Sequence, residues 1–392
     1  MRDVVILSGV RTAIGDYGGA LKQVAPADLA AKVVQEAVLR AGIDPDEVGH
    51  LVFGNVIHGE SRDMYLARVA CVNGGLPQHT SALTVNRLCG SGLQAIISAS
   101  QNILLNDTDV AVAGGAESMS RGGYLLPELR WGQRMNDGGT VDMMIGALTD
   151  PFDNVHMGIT AENIATKWRI SREVQDEFAV ESHRRALHAI TNGYFKEQIL
   201  PIEITIHKEK ILFDTDEHPR ENTNMETLAK LRPVFQKDGT VTAGNASGIN
   251  DSAAALVLME SKAAQKCDLK PLARLVSYGH AGVDPKYMGI GPIPAVQSAL
   301  RRANLEIADL DVIESNEAFA VQACAVAKEL QFDPEKTNPN GGAVALGHPI
   351  GATGSILTIK AIYELHRCGG RYALVTMCIG GGQGVAAVFE RL

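Results

Sequence analysis

The chain has 392 residues, 45% of them apolar and 21% charged, enough for two or three domains around a large core. With 36 Lys and Arg against 45 Asp and Glu the formal charge is -9, which argues against a broad nucleic-acid surface, because phosphate recognition needs concentrated positive charge. Forty glycines with only 5% aromatics point to tight turns and close backbone approaches rather than to a base-stacking platform.

In chain order, residues 4–7 form a short apolar run followed by Arg11, without the charged lead, long apolar middle and cleavage site of an export signal. No apolar run approaches the ~18 residues that span a bilayer. Six cysteines (Cys71, Cys89, Cys267, Cys324, Cys368, Cys378) are scattered with no CxxC pair, so the expectation is reduced thiols in a soluble, cytoplasmic protein rather than a disulfide frame or zinc ribbon. Residues 4–7 read as a buried strand, and Asp28 as the cap of a helix over 29–41. A strand over 48–54, another near 84–86, the turn Cys89-Gly-Ser-Gly92, an apolar helix over 93–105 and a strand over 109–113 follow. This βαβ grammar predicts an α/β fold with a mostly parallel sheet and helices on both faces.

The second half repeats the pattern. Leu310-Asp-Val-Ile-Glu-Ser-Asn316 parallels Leu51-Val-Phe-Gly-Asn55, Gly351-Ala-Thr-Gly354 opens an apolar helix as Gly90-Ser-Gly92 does, and the run 372–377 parallels the strand ending at Ala113. Between the halves, 119–249 is richer in charge, methionine and turn residues and contains a helix from about 171 to 190 with Ser171 as N-cap. The expected organisation is an N-terminal half (1–118 plus 250–270), an inserted loop domain (119–249) and a C-terminal half (271–392).

Four positions stand out chemically. Cys89 sits where a strand turns into a helix, so the free N–H groups of the helix start would lower its thiol pKa and could hold an oxyanion; the alternative is a packed cysteine at a tight turn. Cys378, in Cys378-Ile-Gly-Gly-Gly382, lies between two strands on a turn that lacks the Gly-Lys-Ser/Thr ending of a phosphate loop. His348 precedes Pro349, which holds it off helical angles just before a helix start, a setting suited to proton transfer. No cluster with ligand spacing surrounds it, so no metal is expected. Asn316 ends a strand, where ligand sites gather in parallel sheets, unless it only caps the next helix.

Five motifs together, Asn86-Arg-Leu-Cys-Gly-Ser-Gly92, Gly114-Gly-Ala-Glu-Ser-Met-Ser120, Asn316-Glu-Ala-Phe-Ala320, Gly347-His-Pro-Ile-Gly-Ala-Thr-Gly354 and Cys378-Ile-Gly-Gly-Gly382, give the chain a resemblance to the thiolase family over its whole length, closest to its biosynthetic and broad-range branch. The resemblance implies duplicated βαβαβ halves in five α-β-α-β-α layers. It implies reversible condensation of acetyl-CoA with a short acyl-CoA, with coenzyme A and acyl-CoA as substrates and no tightly bound cofactor. Cys89 would carry the acyl group after His348 draws off its proton, and Cys378 would be the second acid/base. His348 with a water on Asn316 would form one oxyanion site, and the amides of Cys89 and Gly380 the other.

The same resemblance assigns coenzyme A contacts to Leu148, His156, Met157, Arg220, Phe235, Ala243 and Ser247, with Met288, Ala318 and Phe319 from the C-terminal half, and places Arg220 near the adenine and phosphates. It implies a homotetramer built as a dimer of dimers and a place in fatty acid or polyhydroxyalkanoate metabolism, with no nucleic acid or membrane partner. Ser315 stands where many relatives have Ala, and Gly122-Gly123 replaces a commoner Ala-Pro in the segment assigned to tetramer contacts. The competing readings are a degradative 3-ketoacyl-CoA thiolase, a decarboxylating ketoacyl synthase, which would lack Cys378, and a non-catalytic acyl-CoA or lipid carrier, which would have lost the four reactive positions.

Overall fold

The computed structural model describes residues 2–206 and 208–392. The first apolar run is strand β1 (Val4–Arg11), buried along its whole length. It is followed by β2 (His50–Gly54), β3 (Ser81–Val85), β4 (Val110–Ser118), β5 (Asn250–Glu260), β6 (Ala273–Gly282), β7 (Val312–Ser315), β8 (Tyr372–Ile379) and β9 (Gln383–Arg391). Among the described residues these join the short strand Gly15–Asp16 in one ten-stranded sheet, ordered β7-β8-β9-β6-β1-β5-β4-β2-β3.

The sheet is mixed rather than mostly parallel. The pairs β2–β3, β2–β4 and β7–β8 are parallel, as βαβ crossovers require. The pairs β4–β5, β5–β1, β1–β6, β6–β9 and β9–β8 are antiparallel. Strand direction is set by the connections: β8 returns into β9 through a turn of three residues, which only an antiparallel pair permits.

The repeat is visible in detail. In β1 the register to β5 shifts between Ile6 and Ser8, and in β6 the register to β9 shifts between Leu275 and Ser277. At each bulge the serine hydroxyl donates to a helix carbonyl, Ser8 to Ala37 at 2.6 Å and Ser277 to Ala299 at 2.8 Å. Those carbonyls belong to α1 (Pro26–Ala41) and to the helix Pro292–Ala303, which cover β1 with β5 and β6 with β9 respectively. The expected cap of α1 is not used. Pro26, which needs no N–H partner, starts the helix early, and Asp28 sits in its first turn facing Arg62.

Two further helices, α2 (Leu66–Asn73) and α3 (Ser91–Leu104), complete the first half, and Leu93, Ile96 and Ile97 of α3 are fully buried. At about 1.5–3 kcal/mol for each such side chain, that burial is what fixes the start of α3 in place. Residues 119–249 carry short strand pairs, α4 (Met157–Trp168) and α5 (Arg172–Thr191); the Ser171 hydroxyl accepts from Val174 N–H, the predicted cap. Counting Pro292–Ala303 as α6, the chain closes with α7 (Ala320–Leu330) and α8 (Thr353–Cys368).

Helices α3 and α8 pack on each other between the two ends of the sheet, α3 against β2 and β4, α8 against β7 and β8, giving α-β-α-β-α layers. Their N-termini meet at glycine: a Cβ on Gly354 would come within 2.1 Å of the Leu93 nitrogen. That approach brings the loops before both helices, one with Cys89 and one with His348, to the same place. No helix among the described residues is long and apolar enough to cross a membrane.

Candidate active site

The Cys89 turn is held by its own polar groups. Asn86 Oδ1 accepts from Leu88 N–H at 2.9 Å, and Ser91 Oγ accepts from Arg87 N–H at 2.8 Å while donating to Leu88 O at 2.7 Å. These contacts keep Leu88 at φ 44°, a left-handed conformation that costs a leucine about 1–3 kcal/mol and turns the next residue inward. Cys89 is 7% exposed, within a cluster of Ile57, Met119, Met144 and Ile350.

The turn after β8 closes over it. A Cβ on Gly90 would come within 2.7 Å of Ile379 Cδ1, and one on Gly380 within 2.1 Å of Met157 Cε and 3.0 Å of Leu88 Cδ1. With no side chain at either position, the Cys89 and Cys378 turns touch. The main-chain N–H of Gly380 and that of Cys89 itself both face the Cys89 sulfur.

The predicted lowering of the Cys89 thiol is not what the structure gives. Burial pushes it up to about 11, and the two facing amides offset only part of that rise. Cys378, fully buried, is pushed up as well, by burial and then by negative charge on Cys89, which places the two sulfurs within each other's field. His348, 5% exposed, is pushed down to about 4 by burial. Near neutral pH the resting site therefore holds two thiols and an uncharged imidazole, and proton movement between them needs no net charge to enter from water.

His348 is fixed through its main chain and both ring nitrogens. Its main-chain N–H donates to Asn250 Oδ1 at 2.9 Å, Nδ1 lies 2.7 Å from Thr353 Oγ1, and Nε2 lies 3.4 Å from Asn316 Nδ2. Asn316 does not cap the next helix, which begins at Ala320. Its Oδ1 has no partner among the described residues.

The residues expected to contact coenzyme A fall in three places. Met157, Met288, Ala318, Phe319 and Cys378 form one buried cluster with Phe235 packed against it, and Leu148 packs against the Cys89 cluster. His156 stacks on Phe235 with ring centroids 4.6 Å apart, Phe235 meets Phe319 edge-on at 6.2 Å, and Ser247 N–H donates to Ala318 O at 3.1 Å. Arg220 and Ala243 lie apart from these, lining a cavity of about 320 Å³ with His183, His218, Thr223, Thr227 and Leu231.

Profiles of the thiolase N-terminal and C-terminal domains match residues 4–262 and 269–391. The chain belongs to the thiolase family. Among curated thiolases, the beta-ketothiolase BktB of Cupriavidus necator is 66% identical over 392 residues, covering all of both chains. The solved acetyl-CoA acetyltransferase of Bacillus anthracis superposes with a TM-score of 0.98 at 48% identity, covering 100% of this thiolase and 99% of that chain. Human mitochondrial 3-ketoacyl-CoA thiolase in complex with CoA gives 0.96 at 44% identity, covering 100% and 98%.

Three polar residues of this thiolase are given no role by the reading of the motifs, although two of them, Glu117 and Thr353, stand inside the quoted runs. Asn250 and Thr353 hold His348, and Glu117 joins the halves. Fully buried, Glu117 accepts from the N–H groups of Val56, Ile57 and Gly351 at 3.0, 3.1 and 2.9 Å and from Asn55 Nδ2 at 3.1 Å. Burial pushes it up to about 8 despite those donors. An acidic residue at the end of an otherwise apolar strand was the available signal for Glu117.

Proposed function

We propose that this thiolase is an acetyl-CoA C-acyltransferase that condenses acetyl-CoA with acetyl-CoA or another short acyl-CoA to a 3-ketoacyl-CoA, and runs the reverse thiolysis. The observation that carries the reading is the contact between the Cys89 and Cys378 turns, from opposite halves of the chain, beside a buried neutral histidine. The 66% identity to a beta-ketothiolase supports the same chemistry.

In this reading His348 Nε2 takes the Cys89 proton as the sulfur attacks the acyl-CoA carbonyl, and the same proton passes to the departing CoA sulfur. The N–H groups of Cys89 and Gly380 stabilise the negative carbonyl oxygen that forms and collapses. His348 Nε2, neutral again, then takes the Cys378 proton, and the Cys378 thiolate removes a proton from the methyl carbon of bound acetyl-CoA. His348 and a water on the free Oδ1 of Asn316 stabilise the enolate oxygen. The carbanion forms the new C–C bond at the acyl carbonyl, and Cys89 leaves as thiolate and takes the proton held on His348, which restores two thiols and a neutral imidazole. Each carboxyl-level oxygen thus meets preorganised donors at the moment it becomes charged.

Coenzyme A is assigned to the loop domain 119–249, set between the halves 1–118 with 250–270 and 271–392. Its adenine and phosphate end goes to the cavity beside Arg220 and Ala243, and its thiol end to the Met157, Met288, Phe235 and Phe319 cluster. The acyl side is walled by methionine and leucine, which favours short linear chains. Thiolysis rates with 3-ketobutyryl-, 3-ketopentanoyl-, 3-ketohexanoyl- and 3-ketodecanoyl-CoA test this: the first three are expected to turn over and the last to be at least about tenfold slower in kcat/KM, the scale of a few unplaced methylenes. A maximum at the ten-carbon substrate would make the enzyme a degradative, long-chain thiolase.

We further assign a cytoplasmic homotetramer in fatty acid or polyhydroxyalkanoate metabolism. Two surfaces support assembly. Strand β3 is a sheet edge with Leu83 exposed, and Trp131 and Met135, 86% and 83% exposed, project with Tyr124 and Leu129 from one segment of the loop domain. Sedimentation velocity is expected to give four chains per particle, and the double variant Trp131→Ser with Leu129→Ser to give two; a wild-type monomer would refute the assembly.

A further inference from the structure

We propose that Thr353 is a positioning residue for His348: its hydroxyl oxygen accepts the Nδ1–H of the imidazole, which leaves Nε2 unprotonated and able to take the Cys89 proton. The inference deepens the acyl-transfer reading above and rests on it.

The argument is a count of donors. Thr353 opens α8, and its Oγ1 donates to Pro349 O, four residues back, at 2.9 Å, the usual back-bond of a threonine in a helix. A hydroxyl has one proton. With that proton on Pro349, the oxygen can only accept from Nδ1, which lies 2.7 Å away. The other ring nitrogen agrees. The amide nitrogen of Asn316, a donor, faces Nε2 at 3.4 Å, and the opposite tautomer would set two N–H groups against each other there. Both side chains are buried, Thr353 at 2% and His348 at 5% exposure, so bulk water does not average the two tautomers. The main chain carrying the ring is held independently, by the His348 backbone N–H on Asn250 Oδ1 and by the restriction Pro349 places on the residue before it. Thr353 therefore acts on the ring itself, holding it and choosing which nitrogen carries the proton.

The choice matters because a neutral imidazole can accept a proton at only one nitrogen. If Nε2 carried the hydrogen, the base would face away from the nucleophile, the situation in which wrong-tautomer histidines lose activity while their geometry survives.

The test uses the full-length enzyme labelled with 15N-histidine. Long-range 1H–15N correlation reports the tautomer, with the His348 signal assigned by its disappearance in His348→Asn. Wild type is expected as the Nδ1–H form; finding Nε2–H overturns the proposal whether or not the Thr353 variants fold. Thr353→Val keeps the shape and removes the hydroxyl. It is expected to slow acylation of Cys89 by acetyl-CoA by about 10- to 100-fold, the range for loss of an orienting hydrogen bond, with KM within about twofold. Thr353→Ser is expected to restore both tautomer and rate. Acylation by Thr353→Val at the wild-type rate also overturns the proposal. Wild-type acylation rates in His348→Asn would instead remove His348 as the base, so the two failures are told apart.

Discussion

Replacement of Cys89 by alanine is expected to abolish the covalent acyl mass on the protein after mixing with acetyl-CoA, and to lower thiolysis by at least about 10⁴-fold, the order of loss when the nucleophile of a covalent mechanism is removed. Intact-protein mass spectrometry checks it directly: the same added mass in Cys89→Ala would move the acyl group to another residue. The unmodified enzyme adds a pH signature. With the thiol pushed up to about 11, it ionises only as pH rises toward that value, so the thiolate fraction grows about tenfold per unit between pH 7 and 9. Alkylation of Cys89 by iodoacetamide should climb with that slope. A rate flat across the same range would mean a thiolate already paired with His348 at rest.

The Cys378→Ser variant is expected to separate the two half-reactions. Acylation of Cys89 should proceed at near the wild-type rate, because His348 and not Cys378 handles that proton. Condensation of the acyl-enzyme with acetyl-CoA should fall by about 10² to 10⁴-fold, the usual contribution of a positioned acid/base, since a serine hydroxyl is a far weaker base at neutral pH than a thiolate. Stopped acyl-enzyme on adding acetyl-CoA, seen by mass, would be the outcome; normal acetoacetyl-CoA formation would take the second proton transfer away from Cys378. Serine leaves the turn intact: the neighbouring close contacts are made by Gly380 and Gly90, and Cys378 contributes only a small buried side chain.

Much of this was legible in the amino-acid sequence because the informative residues are local. The Cys89 turn, the His348-Pro349 pair and the glycines after Cys378 each announce an unusual backbone position, and the two halves repeat in the same order. What local pattern does not carry is how distant segments meet. The strands β1, β5, β6 and β9 read as buried apolar runs, and such runs say nothing about direction, so the antiparallel centre of the sheet was not predicted. The shift of the Cys89 thiol was misjudged for the same reason: the helix start lies in the sequence, but the covering by Ile379, Met157 and Leu88 that excludes water does not. Thr353 stands five residues beyond His348 inside a quoted motif, yet only the loop's path puts its oxygen 2.7 Å from the ring.

The seam between α3 and α8 ties function to architecture. Each half can keep its strands and helices while contributing only a fragment of the chemistry: Cys89 comes from one, and Asn316, His348 and Cys378 from the other. A slight parting of the two, far short of unfolding, would disarm the enzyme with its secondary structure intact. Gly92 and Gly354 at that crossing therefore guard activity and fold together, since a Cβ at either would meet the main chain of the facing helix.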